Sequence, residues 1–400
     1  MRRTVEKDRT LLVDGPASVN LLSGEVEILG APIKLDAKIV VRKGKRVPLE
    51  VKQRAEIDLM LGENAAVNEV EASTIPPSWE SAVNTVLSYE KPVVVMIMGS
   101  IDLGKTSFCT YLANKALKAG HQVVIVDADL GQSDLGPPTT IGSCRVTKPI
   151  KDPFEIDAEN ICFIGATSPS SAVNRVIEGL THMKEKALQN NTDVLVINTD
   201  GWVDGEDAVR YKIALTERIS PNIVVGVQEQ NELAPILNAL QKTKTLTIQP
   251  SSAVKKRDRE ERKLLRELGY KKYLKGAKTE SFPLGWIKIA GVPFGTGAPP
   301  SKDRMHKIEE TLGATPLHCE EKSNILFIVL GKGQWTDEEL VKKLEEALVK
   351  KVKVMWEGDE QGLLVALHDK NEGFLGIGVL EAIDYERRVV KVYTPVKSNV

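Results

Sequence analysis

Cysteine and histidine are scarce in this chain, and neither is arranged for chemistry. Among 400 residues, Cys109, Cys144, Cys162 and Cys319 form no Cys-x-x-Cys pair. His121, His182, His306, His318 and His368 show no metal-ligand spacing. A disulfide scaffold and a zinc module are thereby excluded, and all of these residues read as structural. Long hydrophobic runs are also missing. Pro92-Val-Val-Val-Met-Ile-Met98 is the longest, far short of the ~20 apolar residues that cross a bilayer, and the N-terminus is charged rather than signal-like. The expectation is a cytoplasmic protein with no membrane association. Low-complexity tracts and charged tails are absent too, and a net charge of −1 excludes a protein that coats nucleic acid by bulk basicity. One stretch departs from this balance. Residues 254–278 carry eleven Lys or Arg against four acids, a local excess of +7.

A chain of 400 residues exceeds what one core usually organises, so two or three domains are expected. Between Thr10 and Glu71, runs such as Val26-Glu-Ile-Leu29, Lys38-Ile-Val-Val41 and Ala55-Glu-Ile-Asp-Leu59 are separated by Gly, Pro and Lys-Gly-Lys turns. They predict a small β-sandwich over residues 1–73. After the linker Thr74-Ile-Pro-Pro-Ser-Trp79 and a helix from Pro77 to Tyr89, the pattern changes. A continuous apolar strand at 93–98, helical periodicity over 105–119 and a second apolar strand at 121–126 form a βαβ unit. Strands at 161–164, 194–197 and 223–227 then alternate with helices at 172–188 and 206–216. The predicted fold class is α/β, a parallel sheet flanked by helices over 74–281. Strands near 325–330, 362–368, 374–380 and 388–393 with a helix over 337–350 predict a strand-rich domain over 282–400.

Gly99-Ser100-Ile101-Asp102-Leu103-Gly104-Lys105-Thr106 fits the phosphate-loop pattern in its expected context, after a strand and before a helix; Ser107 follows it. Backbone N–H groups there close around a β-phosphate at a helix N-terminus. Lys105 reaches the β- and γ-oxygens, and the Thr106 hydroxyl ligates Mg²⁺. Asp127 and Asp129 end the next strand. Two residues apart on extended backbone, they are expected to point the same way at the sheet's carboxyl edge. One would serve the Mg²⁺ shell, the other would accept a proton from an attacking hydroxyl; the alternative is a metal site with a bystander Asp. Lys255, Arg259, Arg262 and Arg266 fall on one helix face, with Leu264, Leu265 and Leu268 elsewhere. This is either a lid that neutralises a transferring phosphoryl group or a solvated face paired with Glu260, Glu261 and Glu267. Two further turns, Gly165-Ala-Thr167-Ser168-Pro169 and Asn198-Thr-Asp-Gly-Trp202, follow strands and could grip a nucleotide backbone and stack a base. For Trp202 the alternative is core packing.

Taken in order, Gly-x-x-Asp-x-Gly-Lys-Thr (99–106), Asp-x-Asp-x-Gly-Gln (127–132), Gly-x-Thr-Ser-Pro (165–169), Thr-x-Gly-Trp (199–202) and Arg-x-x-x-Arg (262–266) resemble the polynucleotide 5′-hydroxyl kinase family. Gly15-Pro16, the Leu22-Ser-Gly-Glu25 turn and Ile383-Asp-Tyr-Glu-Arg-Arg388 extend the resemblance to both flanks. The compact flanks look like those of archaeal members. The resemblance implies ATP as phosphoryl donor with Mg²⁺, and single-stranded RNA or DNA 5′-hydroxyl ends as acceptors. By residue, it implies Lys105 and Thr106 on the triphosphate and Mg²⁺, Asp129 as base, and Asp127 near the metal. Thr167, Ser168, Trp202 and Gln132 would lie on the acceptor strand, with Arg262 and Arg266 in a catalytic lid. RNA-processing proteins are the implied partners. Two other readings stay open: an ATP-holding scaffold of an RNA-processing complex, and a nucleotide switch. The guanine-reading Asn-Lys-x-Asp of a GTPase does not occur.

Overall fold

The computed structural model describes residues 1–189, 191–289 and 297–398, and the chain forms two compact units, Met1–Lys272 and Tyr273–Val400. The first unit opens with β1 (Arg2–Val5), β2 (Thr10–Asp14), β3 (Ala17–Ile28), β4 (Ala31–Pro32), β5 (Lys38–Val41), β6 (Arg46–Leu61) and β7 (Val67–Val70). They make one seven-stranded antiparallel sheet in which β3 and β6 pair with each other and with all the rest except β7, which pairs with β2. β6 pairs with β2 through Arg46–Glu50 and with β1 through Ala55–Asp58. The Leu22-Ser-Gly-Glu25 segment is not a turn. It lies inside β3, where the pairing register shifts three times between Leu21 and Val26 and lets the strand bend. Apolar side chains alternate inward along β3, with Ala17, Val19, Leu21, Val26 and Ile28 buried.

The second sheet of this unit holds β8 (Val93–Gly99), β9 (Val123–Ala128), β10 (Thr140–Val146), β11 (Asn160–Phe163), β12 (Val194–Thr199), β13 (Ile223–Val227) and β14 (Lys244–Ile248). Their order is β11-β10-β9-β12-β8-β13-β14, so the phosphate-loop strand is central. It is flanked by α1 (Pro77–Leu87), α2 (Lys105–Lys118), α3 (Val173–Leu188), α4 (Glu206–Ile219), α5 (Ala234–Leu237) and α6 (Arg259–Tyr273). β8 reads as unbroken hydrophobicity because both faces are covered. Val93, Val95 and Ile97 enter the core shared with the N-terminal sheet, whereas Val94, Met96 and Met98 enter the opposite one. Trp79 of α1 locks the first core, edge-on to Phe108 of α2 at 5.3 Å with its indole N–H donated to the Gln249 carbonyl at 2.8 Å.

The five strands from β9 to β14 in that order are parallel, but β10 and β11 are not part of the parallel set. β10 returns antiparallel to β9, and β11 pairs antiparallel with β10. The expected strand at 161–164 exists, yet its neighbour was invisible because Thr140-Ile-Gly-Ser-Cys-Arg-Val146 has little apolar character. After two reversals β11 runs the same way as β9. Its trailing turn at 165–169 therefore reaches the same carboxyl edge as the other loops.

The second unit contains β15 (Lys278–Pro283), α7 (Lys302–Leu312), β16 (His318–Lys322), β17 (Ile325–Leu330), α8 (Glu338–Leu348), β18 (Lys351–Trp356), β19 (Leu364–His368), β20 (Phe374–Asp384) and β21 (Val389–Thr394). A four-stranded sheet, β15-β21-β20-β19, and a three-stranded one, β16-β17-β18, divide it. Because β15 pairs with β21, the residues just before 282 belong to this unit's sheet. Among the described residues no helix is long and apolar enough to cross a membrane.

Candidate active site

Four of the five parallel strands, β8, β9, β12 and β14, run into loops that line one cavity of about 380 Å³, itself lined by residues of the first unit. β8 runs into the 99–104 loop, which turns through Gly104 into α2. The loop's glycines and the buried N-terminus of α2 leave backbone N–H groups without helical partners, the usual site for a phosphate. Lys105 is almost fully buried at the cavity floor and donates to the Ser100 carbonyl at 2.9 Å. Burial lowers its ammonium pKa, opposed by the nearby Asp129 carboxylate.

Only Asp129 of the two aspartates of the second motif lines this cavity. β9 ends at Ala128, so strand alternation no longer governs Asp129. Asp127, 2% exposed, lies behind the cavity. One of its oxygens accepts from Asn198 Nδ2 at 2.9 Å and the Asp129 N–H at 3.2 Å. The other accepts from the Asp134 N–H at 2.8 Å, with Leu135 N–H and Ser133 Oγ at 3.3 and 3.4 Å. This carboxylate shapes the 129–135 loop, and burial beside Asp129 pushes its pKa up to about 6. Asn198 also donates to Thr106 Oγ1 at 3.2 Å, linking the loop threonine to Asp127.

Asp129 lines the cavity. Its Oδ1 accepts from the Gly131 and Gln132 N–H groups at 3.2 and 3.1 Å, while Oδ2 has no hydrogen bond among the described residues. Burial raises its pKa, and Lys105 opposes the rise. A fixed carboxylate with one open oxygen, raised toward neutrality, suits a general base.

Two glycines bring the 165–169 and 199–202 turns into place by close approach. A Cβ on Gly201 would sit 2.6 Å from the Ile101 side chain, so the 199–202 turn lies against the phosphate loop. A Cβ on Gly131 would sit 3.0 Å from the Thr167 carbonyl, which seats the 165–169 turn on the Asp129 loop. Thr167, Ser168, Gln132 and Trp202 all line the cavity. Trp202 also stacks on Tyr211 at 5.6 Å and 23°, so packing and cavity lining are combined in one ring.

The basic segment is partly as expected. α6 begins only at Arg259, so Lys255 precedes the helix and pairs with Glu261 at 2.6 Å. Arg262 and Arg266 line the cavity; Arg259 is exposed and does not. Leu265, expected on another face, lines the cavity between them, because α6 covers the site and needs an apolar contact as well as charge. Gln132 donates to the Arg262 carbonyl at 3.2 Å, tying the Asp129 loop to α6.

Several site residues escaped the sequence reading. Lys212 of α4, 0% exposed, donates to Asp200 Oδ2 at 2.9 Å, the Asp200 carbonyl at 3.0 Å and Thr199 Oγ1 at 3.2 Å. Tyr211 donates to the same Asp200 oxygen at 2.9 Å. On an amphipathic helix this lysine resembles any surface residue. Lys212→Ala would leave Asp200 buried without its counter-ion, and a loss of about 3–5 kcal/mol of stability is expected, read by denaturant unfolding. The N-terminal sheet contributes Arg42 and Lys45. Arg42 lies over the Phe154 ring at 3.7 Å and makes a bidentate pair with Asp152 at 2.9–3.1 Å, and Lys45 grips Asp134 at 2.9 Å. Burial alone would raise the Asp134 carboxyl, but Lys45 and Arg42 hold it below its ordinary value. The Arg42-Lys-Gly-Lys-Arg46 turn was their only trace in the sequence.

A central parallel sheet with this loop, this covering helix and a carboxylate facing the phosphate position defines a P-loop nucleotide-binding protein. More particularly, residues 99–276 match the family model described as mRNA cleavage and polyadenylation factor CLP1 P-loop. The expected likeness to polynucleotide 5′-hydroxyl kinases is borne out by relatives carrying that name. The chain is 28% identical over 327 residues to a polyribonucleotide 5′-hydroxyl-kinase of Pyrococcus abyssi, covering 81% of this chain and 88% of the relative. It is likewise 28% identical over 333 residues to one of Methanocaldococcus jannaschii, again with 81% and 88% covered. A CLP1 homologue of Brugia malayi is 26% identical over 307 residues, 70% of each chain. The solved structure of a wild-type Clp1p–Pcf11p complex shares the fold, with TM-score 0.68 and 14% identity over 99% of this chain and 94% of that one.

Proposed function

We propose that this protein transfers the γ-phosphoryl group of ATP to the 5′-hydroxyl end of a polynucleotide, RNA foremost, leaving ADP and a 5′-phosphorylated strand. The observation that carries the reading is Asp129. It lines one cavity together with the phosphate loop, Thr167, Ser168, Trp202, Arg262 and Arg266, and its Oδ2 has no hydrogen bond among the described residues. Relatives named as polyribonucleotide 5′-hydroxyl-kinases over most of the chain support it.

In this reading the 99–104 backbone and Lys105 hold the β- and γ-phosphates. Asp129 accepts the proton of the 5′-hydroxyl as its oxygen attacks phosphorus in line with the departing ADP oxygen. Arg262 and Arg266 neutralise the equatorial oxygens, and Thr167, Ser168, Gln132 and Trp202 hold the acceptor end. Phosphoryl transfer asks for little covalent work from the protein, so positioning and charge supply most of the acceleration.

Among the described residues no cluster of three or more His, Cys, Asp or Glu side chains could cage a metal ion. The donor set fits Mg²⁺ brought in by the nucleotide, which takes few protein ligands and keeps waters and phosphate oxygens. Thr106 would hold the ion directly. Asp127, its oxygens occupied by backbone and amide donors, would act through the water shell. When bound, the ion would supply charge neutralisation across the β- and γ-phosphates.

The direct test is ADP release followed with 5′-hydroxyl RNA, 5′-hydroxyl single-stranded DNA and a 5′-phosphorylated control. Release that depends on the free 5′-hydroxyl supports the reading; release indifferent to the acceptor's 5′ end overturns it. A pH dependence follows from the geometry. Asp129 accepts a proton only when ionised, and burial raises its pKa, so kcat/KM should fall toward acid with a midpoint above the ordinary carboxylate value of about 3.9. The check is a pH profile corrected for the titration of ATP's own γ-phosphate.

A further inference from the structure

Asp102 stands inside the phosphate loop, yet its carboxylate is occupied by a residue from outside it. Oδ1 accepts from Arg257 Nη1 at 2.9 Å, and Oδ2 accepts from the Arg257 backbone N–H at 3.0 Å. The pair is largely screened from solvent, with side-chain exposures of 21% for Arg257 and 11% for Asp102. Arg257 Nε also donates to the Gly44 carbonyl at 3.2 Å, anchoring the same guanidinium to the N-terminal sheet's basic turn. Arg257 sits two residues before α6, where the chain leaves the central sheet and rises over the cavity.

The connection continues inward. Arg262 donates through Nη2 to the Arg257 carbonyl at 2.6 Å. Gln132 donates to the Arg262 carbonyl at 3.2 Å, and the Gln132 N–H donates to Asp129 Oδ1 at 3.1 Å. One unbroken chain of hydrogen bonds therefore runs from the phosphate loop, through the start of the lid, to the carboxylate at the acceptor side. Charge-assisted bonds are the stronger kind, and two donors from one residue onto one carboxylate fix orientation as well as distance.

We propose that Arg257 is a positioning residue that registers the lid against the phosphate loop, with Asp102 setting where Arg262 comes to rest. Arg257 lines the same cavity, and in this assignment it acts through Arg262 and through the Gln132–Asp129 loop. A P-loop aspartate whose two oxygens both face the lid gives the loop a means of sensing and fixing the helix above it. The inference rests on the kinase reading for its catalytic consequence, but not for the latch itself.

The test uses the full chain with Arg257→Met, Arg257→Lys, Asp102→Asn and the double Arg257→Met/Asp102→Asn. Three properties are measured: ATP affinity and stoichiometry by calorimetry, kcat and KM for a 5′-hydroxyl RNA, and amide hydrogen exchange over residues 257–266. Arg257→Met is expected to lower kcat by about 10- to 100-fold, the worth of a buried charge-assisted hydrogen bond. ATP stoichiometry and affinity should stay close to wild type, with lysine restoring part of the rate. Asp102→Asn should lower kcat to a similar extent, and the double variant should be no worse than the more impaired single one, since both break one connection. Exchange over 257–266 should quicken in both single variants. Wild-type kcat in Arg257→Met, losses that multiply in the double variant, or unchanged exchange would overturn the proposal. If the unaltered protein transfers no phosphate, the kinase reading falls, and the exchange measurement still decides the latch.

Discussion

Replacing Arg262 and Arg266 together by alanine should slow phosphoryl transfer by about 10³- to 10⁵-fold, the range measured when arginines that neutralise a transferring phosphoryl group are removed. Both line the cavity from α6, one helical turn apart. The effect should lie in kcat, because charge on the equatorial oxygens develops in the transition state and ground-state ATP is held by the loop below. ATP affinity measured by calorimetry should change far less than the rate. A double variant that transferred at the wild-type rate would return the helix to the alternative reading, a solvated basic face. The side chain of Leu265 already speaks against that alternative, since a purely solvated helix has no reason to bury a leucine between the two arginines.

Asp129→Asn comes next in size, with a loss of about 10²- to 10⁴-fold expected from removing a positioned general base. Asparagine keeps the shape, and its amide oxygen can still accept from the Gly131 and Gln132 N–H groups that fix this side chain. Geometry should therefore survive while proton acceptance does not. ATP binding should persist, and the acid limb of the pH profile should vanish with the rate. The same substitution at Asp127 is a different experiment. That carboxylate receives donors on both oxygens, so an amide NH₂ would face N–H groups and disturb the whole 129–135 loop. Asp127→Asn should lower stability as well as activity, and denaturant unfolding separates the two variants.

The parallel strands and the phosphate loop were legible because a doubly covered strand such as 93–98 leaves an unbroken apolar run before a Gly-rich turn. Arg262, Arg266, Thr167 and Trp202 were reachable through motif order and do gather around one cavity. What the sequence hid are side chains whose meaning depends on tertiary partners. Lys212 and Arg257 sit among many lysines and arginines, and only the burial of their carboxylate partners, Asp200 and Asp102, distinguishes them. Strand alternation misled at Asp127 and Asp129 because β9 ends between them, a boundary no local signal marked. The strand β10 was missed for a similar reason: its Thr, Gly and Ser residues are paired by backbone bonds to β9 and β11 and need little apolar surface.

The central claim is the direction of transfer, from ATP to a 5′-hydroxyl. It is tested most directly by incubating the protein with γ-labelled ATP and a 5′-hydroxyl RNA oligonucleotide, then digesting the product to mononucleotides. The expected result is label confined to the 5′-terminal nucleotide, formed by the wild-type protein and lost in Asp129→Asn. ATP bound with no label transferred at any temperature up to unfolding would contradict the account and leave an ATP-holding scaffold in its place.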